Sequence, residues 1–346
     1  MRVAYVYPNP RVDLARAVAA GEAPDTGFLG QNHLAEHGIE ATVCESRLRR
    51  STHLPGPVHR LTWNSRELAV PWEVGPADVI VSSLGSLLPL AAKVRRRSRV
   101  VLLNIDFCTA LDRLDGLRKR IFQRSLQCAD AIVCLADAQR AKLLTQVHLD
   151  PACVHVVPLG VDDRFYRVAS EASEAHVLAV GRDNGRDYAT FTRAIESLGV
   201  RTTIVASARN LAGISIPKYV EVELDTTPTR LRSLYAAATC VVIPTRSREF
   251  HRGADCSGQT VLLDAMAMGR PAVVTKRSTL IDYVEDGATA LFVPAEDPPA
   301  LAEAIRSLLD DAGLRDRLSR AGRAAVESKF TTRRFAAGLA PILKEV

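Results

Sequence analysis

The sequence predicts an α/β protein with two Rossmann-like, doubly wound domains that face a cleft. Three observations support this fold class. Short apolar runs rich in β-branched residues alternate with amphipathic segments along the chain. The alternation stops in a polar stretch that begins near residue 163 and starts again at residue 177. The length of 346 residues exceeds what one hydrophobic core normally supports, which favours two domains of ordinary size.

In the first half, the predicted strands are apolar runs bounded by turns. A strand at 2–7 is followed by a glycine-containing loop, a helix at 31–37 that ends at Gly38, and a second strand. This order is typical of a parallel doubly wound sheet, in which ligands bind at the carboxyl ends of the strands. The remaining predicted elements of this half are strands at 39–44, 78–82, 100–103, 131–134 and 154–157, and helices at 117–128 and 139–144.

The second half repeats the alternation without a short sequence repeat. Its predicted elements are strands at 177–180, 202–206, 219–222, 240–243, 272–275 and 290–293, and helices at 188–197, 229–237, 299–309, 315–328 and 333–344. We therefore predict a first domain at 1–162, a linker at 163–176, a second domain at 177–328 and a C-terminal helix in 329–346. Two open sheets in tandem favour an enzyme that closes two domains on a ligand.

Composition indicates a soluble, cytoplasmic protein. No apolar run is long enough to span a bilayer, and Pro8, Pro10 and Arg11 stand where a signal peptide needs its apolar core. The seven cysteines include no Cys-x-x-Cys pair, so we interpret them as reduced residues, mostly in the core, and predict no metal site.

Two basic clusters stand out in the first half, at 95–99 and at 118–124. Aromatic residues do not interleave them as they would in a protein that binds single-stranded nucleic acid, so we predict no nucleic-acid partner. We interpret the clusters as solvated helix faces. Contact with a membrane surface or an acidic substrate is the alternative.

The segment 257–271 carries the strongest candidate for a ligand site. It begins with small and hydroxyl-bearing residues, continues as an apolar run of good helix formers and ends at Gly269-Arg270-Pro271, which predicts a short buried helix. The first turn of a helix exposes N–H groups that attract an anion, and Gly258 permits close approach. At helical spacing Ser257, Thr260 and Asp264 share a stripe, which suits a phosphate above and sugar hydroxyls below. A core helix that Ser257 merely caps is the alternative.

Ordered motifs across almost the whole chain resemble those of the family 4 glycosyltransferases, which are retaining enzymes of the GT-B fold. The residues that carry the resemblance are Val157-Pro158-Leu159-Gly160-Val161-Asp162 with Phe165, Ala179-Val180-Gly181-Arg182, Leu234-Tyr235-Ala236-Ala237-Ala238 through Ile243-Pro244, Leu262-Leu263-Asp264-Ala265-Met266-Ala267-Met268-Gly269-Arg270-Pro271, and Asp282 to Gly287 followed by Pro294 and Asp297.

The resemblance implies that the second domain binds a nucleoside-diphosphate sugar and the first binds an acceptor. It assigns Arg182 and Arg186 to the diphosphate, whose charge rises as the sugar leaves and must be met by fixed cations when no metal is present. Surface ion pairs with Asp183 and Asp187 are the alternative for these arginines. Together with the helix-tip argument and the glycine loop after the first strand, this resemblance gives Gly30, Gly181, Ser257, Gly258, Gln259, Thr260 and Asp264 as the predicted donor-binding residues, although Gly27 and Gly30 alone are a weak phosphate signal.

The sequence departs from the family at its acidic pair and in the first domain. Asp264 stands at the second acidic position, and Cys256 replaces the first. Nearby Glu249 and Asp255 lie in an apparent insertion at 246–255, which is either a solvated surface loop or a loop that faces donor or acceptor. The histidine that the family often carries after the strand at 100–103 is absent. Asp106 is our candidate there for orienting an acceptor or stabilising an oxocarbenium-like centre, with helix capping as the alternative.

We therefore predict a retaining, metal-independent transfer of a sugar to the hydroxyl of a small-molecule, glycan or lipid-linked acceptor, without a bound cofactor. The C-terminal helix, which in the family packs back on the first domain, is also able to pair two subunits. Rival interpretations are a nucleotide-sugar epimerase, a pseudo-glycosyltransferase that couples a cyclitol, and a non-catalytic partner subunit.

Overall fold

The computed structural model describes residues 1–45, 67–95, 97–168, 175–247 and 253–346. The chain divides into two compact units. The first contains Met1–Ala19, Gly27–Pro158 and Arg333–Val346, and the second contains Ala20–Thr26 and Leu159–Thr332. The division after Pro158 lies slightly before the predicted boundary, and the described part of the predicted linker belongs to the second unit. The predicted cleft stays a prediction.

The first unit is built on a parallel sheet of six strands in the order β2-β1-β3-β4-β5-β6. Every residue of β3 and β5 is buried, which explains why their sequences are continuous apolar runs with no alternation. The strands are β1 (Arg2–Val6), β2 (Glu40–Val43), β3 (Val79–Ser82), β4 (Arg99–Asn104), β5 (Ala131–Cys134) and β6 (Val154–Val156).

Helices cover this sheet and enclose a separate hydrophobic core that includes Leu102, Phe107 and Leu126. The described α-helices are Val12–Ala19, Val70–Glu73, Leu88–Arg95, Phe107–Arg113, Gly116–Leu126, Asp137–Gln146 and the C-terminal Thr332–Glu345, which joins this unit from Arg333 onward.

The second unit has the same architecture. Its six parallel strands follow the order β12-β11-β10-β7-β8-β9 around a second core that includes Tyr188, Phe191 and Ile204. The strands are β7 (Val177–Val180), β8 (Thr202–Val205), β9 (Val220–Glu223), β10 (Cys240–Ile243), β11 (Ala272–Thr275) and β12 (Leu291–Val293). Its described α-helices are Tyr188–Glu196, Ala208–Leu211, Pro228–Ala237, Gln259–Ala267, Pro298–Asp310 and Ala312–Lys329.

The predicted fold class is confirmed, and all twelve predicted strands are present within two residues of their predicted ends. The helices differ more. The helix predicted at 31–37 is a 3₁₀ helix, Gln31–His37, with glycines in the left-handed conformation at both ends. The helix Val12–Ala19 was not predicted because it buries no residue and follows two prolines, so no apolar period marks it.

Two further findings concern membrane spans and cysteines. Among the described residues, no helix combines the length and apolarity that a membrane span needs. All seven cysteines are described and carry thiols, of which Cys108, Cys134 and Cys240 are buried. The absence of disulfides among them agrees with the predicted reduced state.

Candidate functional site

The carboxyl edge of the second sheet holds the predicted site helix, Gln259–Ala267. Gly258 begins it in the left-handed conformation, with φ 100°, which a residue with a Cβ adopts only at a cost. Its carbonyl accepts a hydrogen bond from the Leu262 N–H at 2.9 Å. Every residue of the helix except Thr260 is buried, so the first turn is fixed by the core. The helix predicted from 257–271 is therefore confirmed.

Arg186 lies against the start of this helix and is only 4% exposed. A Cβ built on Gly258 would lie 3.5 Å from Nη1 of Arg186, and one built on Gly181 would lie 1.8 Å from its Nε. The guanidinium therefore occupies space that only a glycine at 181 leaves open. Nε and Nη1 are both buried, and neither meets a hydrogen-bond partner among the described residues. Burial lowers the pKa of Arg186 below its ordinary 12.5, although Tyr188, Asp183 and Tyr235 oppose that shift.

The two acidic residues next to Arg186 in sequence, Asp183 and Asp187, form hydrogen bonds with other groups. The Asp187 carboxylate caps the helix Tyr188–Glu196 by accepting from the N–H and the hydroxyl of Thr190. The Asp183 carboxylate accepts from the N–H of Gly185 at 2.8 Å and from the N–H of Ala254 at 3.0 Å. Neither forms an ion pair with Arg186 within the described residues, and so the alternative of a surface ion pair is wrong for Arg186.

Arg182 has a different environment. Its side chain is exposed, and its Nη2 donates to the carbonyl of Leu224, just beyond β9, at 2.7 Å. Gly181, the residue before it, lies beside Arg186 instead. The structure therefore brings Gly181, Arg186 and Gly258 together and directs the Arg182 guanidinium to a backbone carbonyl.

Arg277 is a second cation at this site, and the sequence analysis did not select it. It follows β11 by two residues, at the same carboxyl edge of the sheet. Burial lowers the pKa of Arg277, and the nearby charge of Arg186 lowers it further. The opposite effect, a rise in this pKa, comes from Asp183, Asp255 and Cys256. Arg277 donates no hydrogen bond and forms no ion pair within the described part of the chain. Its position directly after a fully buried strand is the signal that could have identified it.

The other predicted residues of the helix tip differ in exposure. Ser257 is buried, and its Oγ meets no partner in the described structure. The Gln259 amide donates from Nε2 to the carbonyl of Thr279 at 2.9 Å, whereas its Oε1 is buried with no donor among the described residues. Thr260 is exposed. Because Ser257 Oγ lacks a bond to a described helix N–H, the interpretation of Ser257 as a mere cap has no support.

Asp264 lies deeper than the helix tip, between two tyrosines. It is 4% exposed, and its carboxyl is hydrogen-bonded to the Tyr166 hydroxyl. Burial raises its pKa well above the ordinary 3.8, although the bond from Tyr166 opposes that shift. The Tyr235 ring meets the Tyr166 ring edge to face, with centroids 5.9 Å apart. Burial therefore favours the neutral form of the carboxyl, and the Tyr166 bond opposes it.

The two predicted site residues of the first unit have ordinary structural surroundings. Asp106 precedes the helix Phe107–Arg113 but makes no side-chain cap, because Asn104 Oδ1 accepts the Phe107 N–H at 2.9 Å. The Asp106 carboxylate instead lies 3.9 Å from Nη1 of Arg113, and both side chains are partly exposed. The capping alternative is thus wrong.

Gly30 is accounted for by packing within the first unit. A Cβ at this position would lie 2.9 Å from the Phe335 ring and 3.1 Å from the Ala336 nitrogen. The C-terminal helix therefore occupies the space that a phosphate was predicted to approach. A donor-binding role for Gly30 has no support from this geometry.

Part of the predicted insertion lies outside the described residues, namely Arg248, Glu249, His251 and Arg252. At its described ends, the Arg246 N–H donates to the carbonyl of Gly185 at 2.8 Å, and Asp255 is buried. Cys256 is half-buried. No group of three or more His, Cys, Asp or Glu side chains suited to a metal ion occurs within the described ranges.

The arrangement is suited to a compact polyanion. Arg186 supplies a buried cation with two N–H groups that have no described hydrogen-bond partner, and Arg277 supplies a second cation. The helix Gln259–Ala267 presents the positive end of its dipole. Removing such groups from water is costly unless an oppositely charged ligand replaces the lost hydration. A bound phosphate or diphosphate is the kind of ligand that satisfies them.

Comparison with known proteins shows similarity to glycosyl transferases. Residues 163–311 match the family model for glycosyl transferases group 1. The chain is 26% identical over 265 residues to an α-D-kanosaminyltransferase of Streptomyces kanamyceticus, an alignment that covers 67% of this chain and 64% of the relative. The chain spans roughly half to two thirds of the length of the curated relatives that it matches.

Solved structures with the same fold cover the whole chain. A sucrose-phosphate synthase from Thermosynechococcus elongatus superposes with a TM-score of 0.76 at 17% identity, covering 100% of this chain and 98% of that one. The Anabaena protein HepE, solved in complex with UDP-glucose, superposes with a TM-score of 0.71 at 12% identity and covers both chains completely. At such identities the likeness shows the fold alone.

Proposed function

Residues 163–311 match the family model for glycosyl transferases group 1, and from this match we propose that the protein is a glycosyltransferase. It moves a sugar from a nucleoside-diphosphate sugar to an acceptor hydroxyl, retains the anomeric configuration and requires no metal ion. The second unit binds the donor. The first unit binds the acceptor, which is a small molecule, a glycan or a lipid-linked compound.

The observation that carries this proposal is the buried guanidinium of Arg186. Its Nε and Nη1 have no partner among the described residues, and Gly181 and Gly258 leave it room at the start of the site helix. When the bond between the sugar and the diphosphate breaks, negative charge develops on the β-phosphate. Preorganised N–H donors in a buried site stabilise that charge without reorganising, and this kind of stabilisation is often the largest contribution to catalysis.

The proposed chemistry needs no protein base. The acceptor hydroxyl attacks the anomeric carbon from the side of the departing diphosphate, and its proton passes to an oxygen of that phosphate. Because the new glycosidic bond forms on the same face of the sugar from which the diphosphate leaves, configuration is retained. Arg186 and Arg277 hold the nucleoside diphosphate, and Asp106 is proposed to orient the acceptor.

Two comparisons support the donor class. The Anabaena HepE structure contains UDP-glucose, and the relative from Streptomyces kanamyceticus is named an α-D-kanosaminyltransferase. A cytoplasmic location and pairing of two subunits stay predictions.

Calorimetric titration with UDP, GDP and dTDP tests the proposal. One of the three should bind the wild-type protein clearly, and none should bind after Arg186→Met, with Arg193→Met, an exposed arginine on the helix Tyr188–Glu196, as the matched control. If no nucleoside diphosphate binds the wild-type protein, the assignment is refuted. Slow hydrolysis of the corresponding nucleotide sugar without acceptor distinguishes an active enzyme from a non-catalytic partner subunit.

A further inference from the structure

Three helices of the first unit lie side by side. Val70–Glu73 packs on Leu88–Arg95, which in turn packs on Gly116–Leu126. Their outward side chains include four exposed apolar residues: Trp72 at 56%, Val94 at 77%, Leu117 at 72% and Ile121 at 39% exposure. We refer to the surface formed by these four residues as the three-helix face. Single exposed apolar residues are common, but a concentration on adjacent helices marks an interaction site.

The helix Gly116–Leu126 shows that this exposure is built into the sequence. Its buried side consists of Phe122, Ser125 and Leu126. Leu117 and Ile121 are four residues apart and therefore lie on one stripe, outside that buried side. The helix thus carries an apolar stripe toward the core and a second apolar stripe toward solvent. Core packing explains only the first.

Cations surround the exposed apolar groups. Leu88–Arg95 contributes two basic residues and Gly116–Leu126 contributes four, whereas the only acidic residue in the three helices is Glu73. The Arg95 guanidinium lies 6.0 Å from the centroid of the Trp72 ring. Arg118, Lys119 and Arg120 form no ion pair with any described residue. Their charge is therefore available to an external partner.

A recess borders this surface at the amino edge of the sheet. Its volume is about 640 Å³, and its lining includes the cations Lys93, Arg97 and Arg99, the carboxylates of Asp78 and Asp130, and Gln127. Lys93 is the neighbour of Val94, and Gln127 follows the helix that carries Leu117 and Ile121. Arg99 is paired with Asp130, and the Asp78 carboxylate accepts from the Arg2 N–H. Lys93 and Arg97 are therefore the cations left to contact an anionic headgroup beside the exposed apolar groups.

We propose that the three-helix face docks on the surface of an anionic lipid bilayer. Val94, Leu117, Ile121 and Trp72 enter the boundary between headgroups and acyl chains, and the surrounding lysines and arginines contact the headgroups. Amphipathic surfaces that combine apolar and basic residues bind anionic membranes through both contributions.

Two other occupants fit the surface less well. Pairing with a second copy through the same face brings the two basic clusters together, and that like-charge repulsion opposes assembly. A nucleic acid satisfies the cations but gives no apolar environment to Val94, Leu117 and Ile121. The membrane interpretation replaces the predicted one, in which these clusters are merely solvated helix faces. It does not depend on the proposed transfer reaction.

Flotation with lipid vesicles tests the proposal. Vesicles of phosphatidylcholine with about 30% phosphatidylglycerol should carry the full-length protein upward in a density gradient, whereas pure phosphatidylcholine or 0.5 M NaCl should leave it at the bottom. The triple variant Arg118→Gln, Arg120→Gln, Arg124→Gln should lower the apparent partition coefficient by about a hundredfold. The double variant Val94→Ser, Leu117→Ser should lower it by about tenfold.

Matched controls separate the face from general charge and apolarity. The triple variant Arg193→Gln, Arg317→Gln, Arg320→Gln removes three exposed arginines of the second unit, and Val12→Ser removes an exposed valine of the first. Both should float like the wild-type protein. The proposal is overturned if the wild-type protein does not float with anionic vesicles, or if the face variants float as well as the controls. It is also overturned if light scattering shows a dimer that the face variants dissociate.

Discussion

The two sheets have the same strand number and the same parallel pairing, but their carboxyl edges are satisfied differently. At the first edge, Ser82 Oγ donates to the Val6 carbonyl and accepts from the Leu84 N–H, and Asn104 caps the next helix. At the first edge, Gln139 Oε1 accepts from the Leu135 N–H, but its buried Nε2 has no described partner. At the second edge, the buried atoms without a described partner include Nε and Nη1 of a single cation, Arg186, together with Ser257 Oγ and Gln259 Oε1. Because a buried cation is costly when its N–H groups are unsatisfied, the second edge favours an anionic ligand. Polar residues at a sheet edge do not by themselves mark a site.

Replacing Arg186 tests this contrast with the largest expected effect. Arg186→Met should weaken nucleoside-diphosphate binding by about a thousandfold, because a buried charge-assisted contact is lost. The same change should leave the free energy of unfolding unchanged or raise it by about 1–3 kcal/mol, because it removes an unpaired buried charge. Calorimetric titration and urea unfolding measure the two quantities. A loss of stability equal to the loss of binding would mean that Arg186 is a structural residue.

A methyl group at Gly181 should reproduce much of that effect without touching a charge. Since its Cβ would lie 1.8 Å from the Arg186 Nε, Gly181→Ala must displace the guanidinium. We expect nucleotide binding to fall by about a hundredfold. The matched control is Gly199→Ala, which also has a positive φ, 60°, but no atom within 4 Å of the new Cβ. It should cost about 1 kcal/mol of stability and leave binding intact. Equal binding by both variants would contradict the assignment.

The two further arginines should differ from each other. Arg277→Met should lower nucleoside-diphosphate affinity by about tenfold, because it removes a cation near Arg186. Arg182→Met should change the affinity by less than about threefold, since Arg182 is exposed and its guanidinium bonds the Leu224 carbonyl. The measurement is the same titration. A larger effect at Arg182 than at Arg277 would restore the diphosphate contact that the family resemblance implied.

The last prediction concerns Asp264 and the pH dependence of stability, with no change in nucleotide binding at issue. Because burial raises its pKa above 3.8, the folded protein binds this proton more tightly than the unfolded chain. Its contribution to stability is therefore present at low pH and is lost as the pH rises through the folded pKa, by up to about 1.4 kcal/mol per pH unit. Asp264→Asn removes this dependence. Between pH 5 and pH 8, the free energy of unfolding of the wild-type protein should fall relative to that of the variant, as measured in urea. An unchanged difference would show that Asp264 is ionised in the fold.

Much of the fold followed from sequence because buried parallel strands are continuous apolar runs, as in 131–134 and 177–180. The helix at 259–267 was predictable from its small-residue start and its Gly269 exit. What escaped prediction depended on contacts distant in sequence. Gly30 faces Phe335, and Arg277 approaches Arg186 only in the folded unit. The different surroundings of Arg182 and Arg186 were equally hidden, because both lie in one charged loop whose sequence does not show that Arg186 folds back beside Gly181 while Arg182 bonds Leu224.

The most direct test is a calorimetric titration of the wild-type protein and Arg186→Met with each of UDP, GDP and dTDP under metal-free conditions. We expect one nucleotide to bind the wild-type protein at a single site and this binding to disappear in a variant that remains folded. Undiminished binding to the variant, or no binding to either protein, would contradict the claim that the Arg186 guanidinium holds a diphosphate.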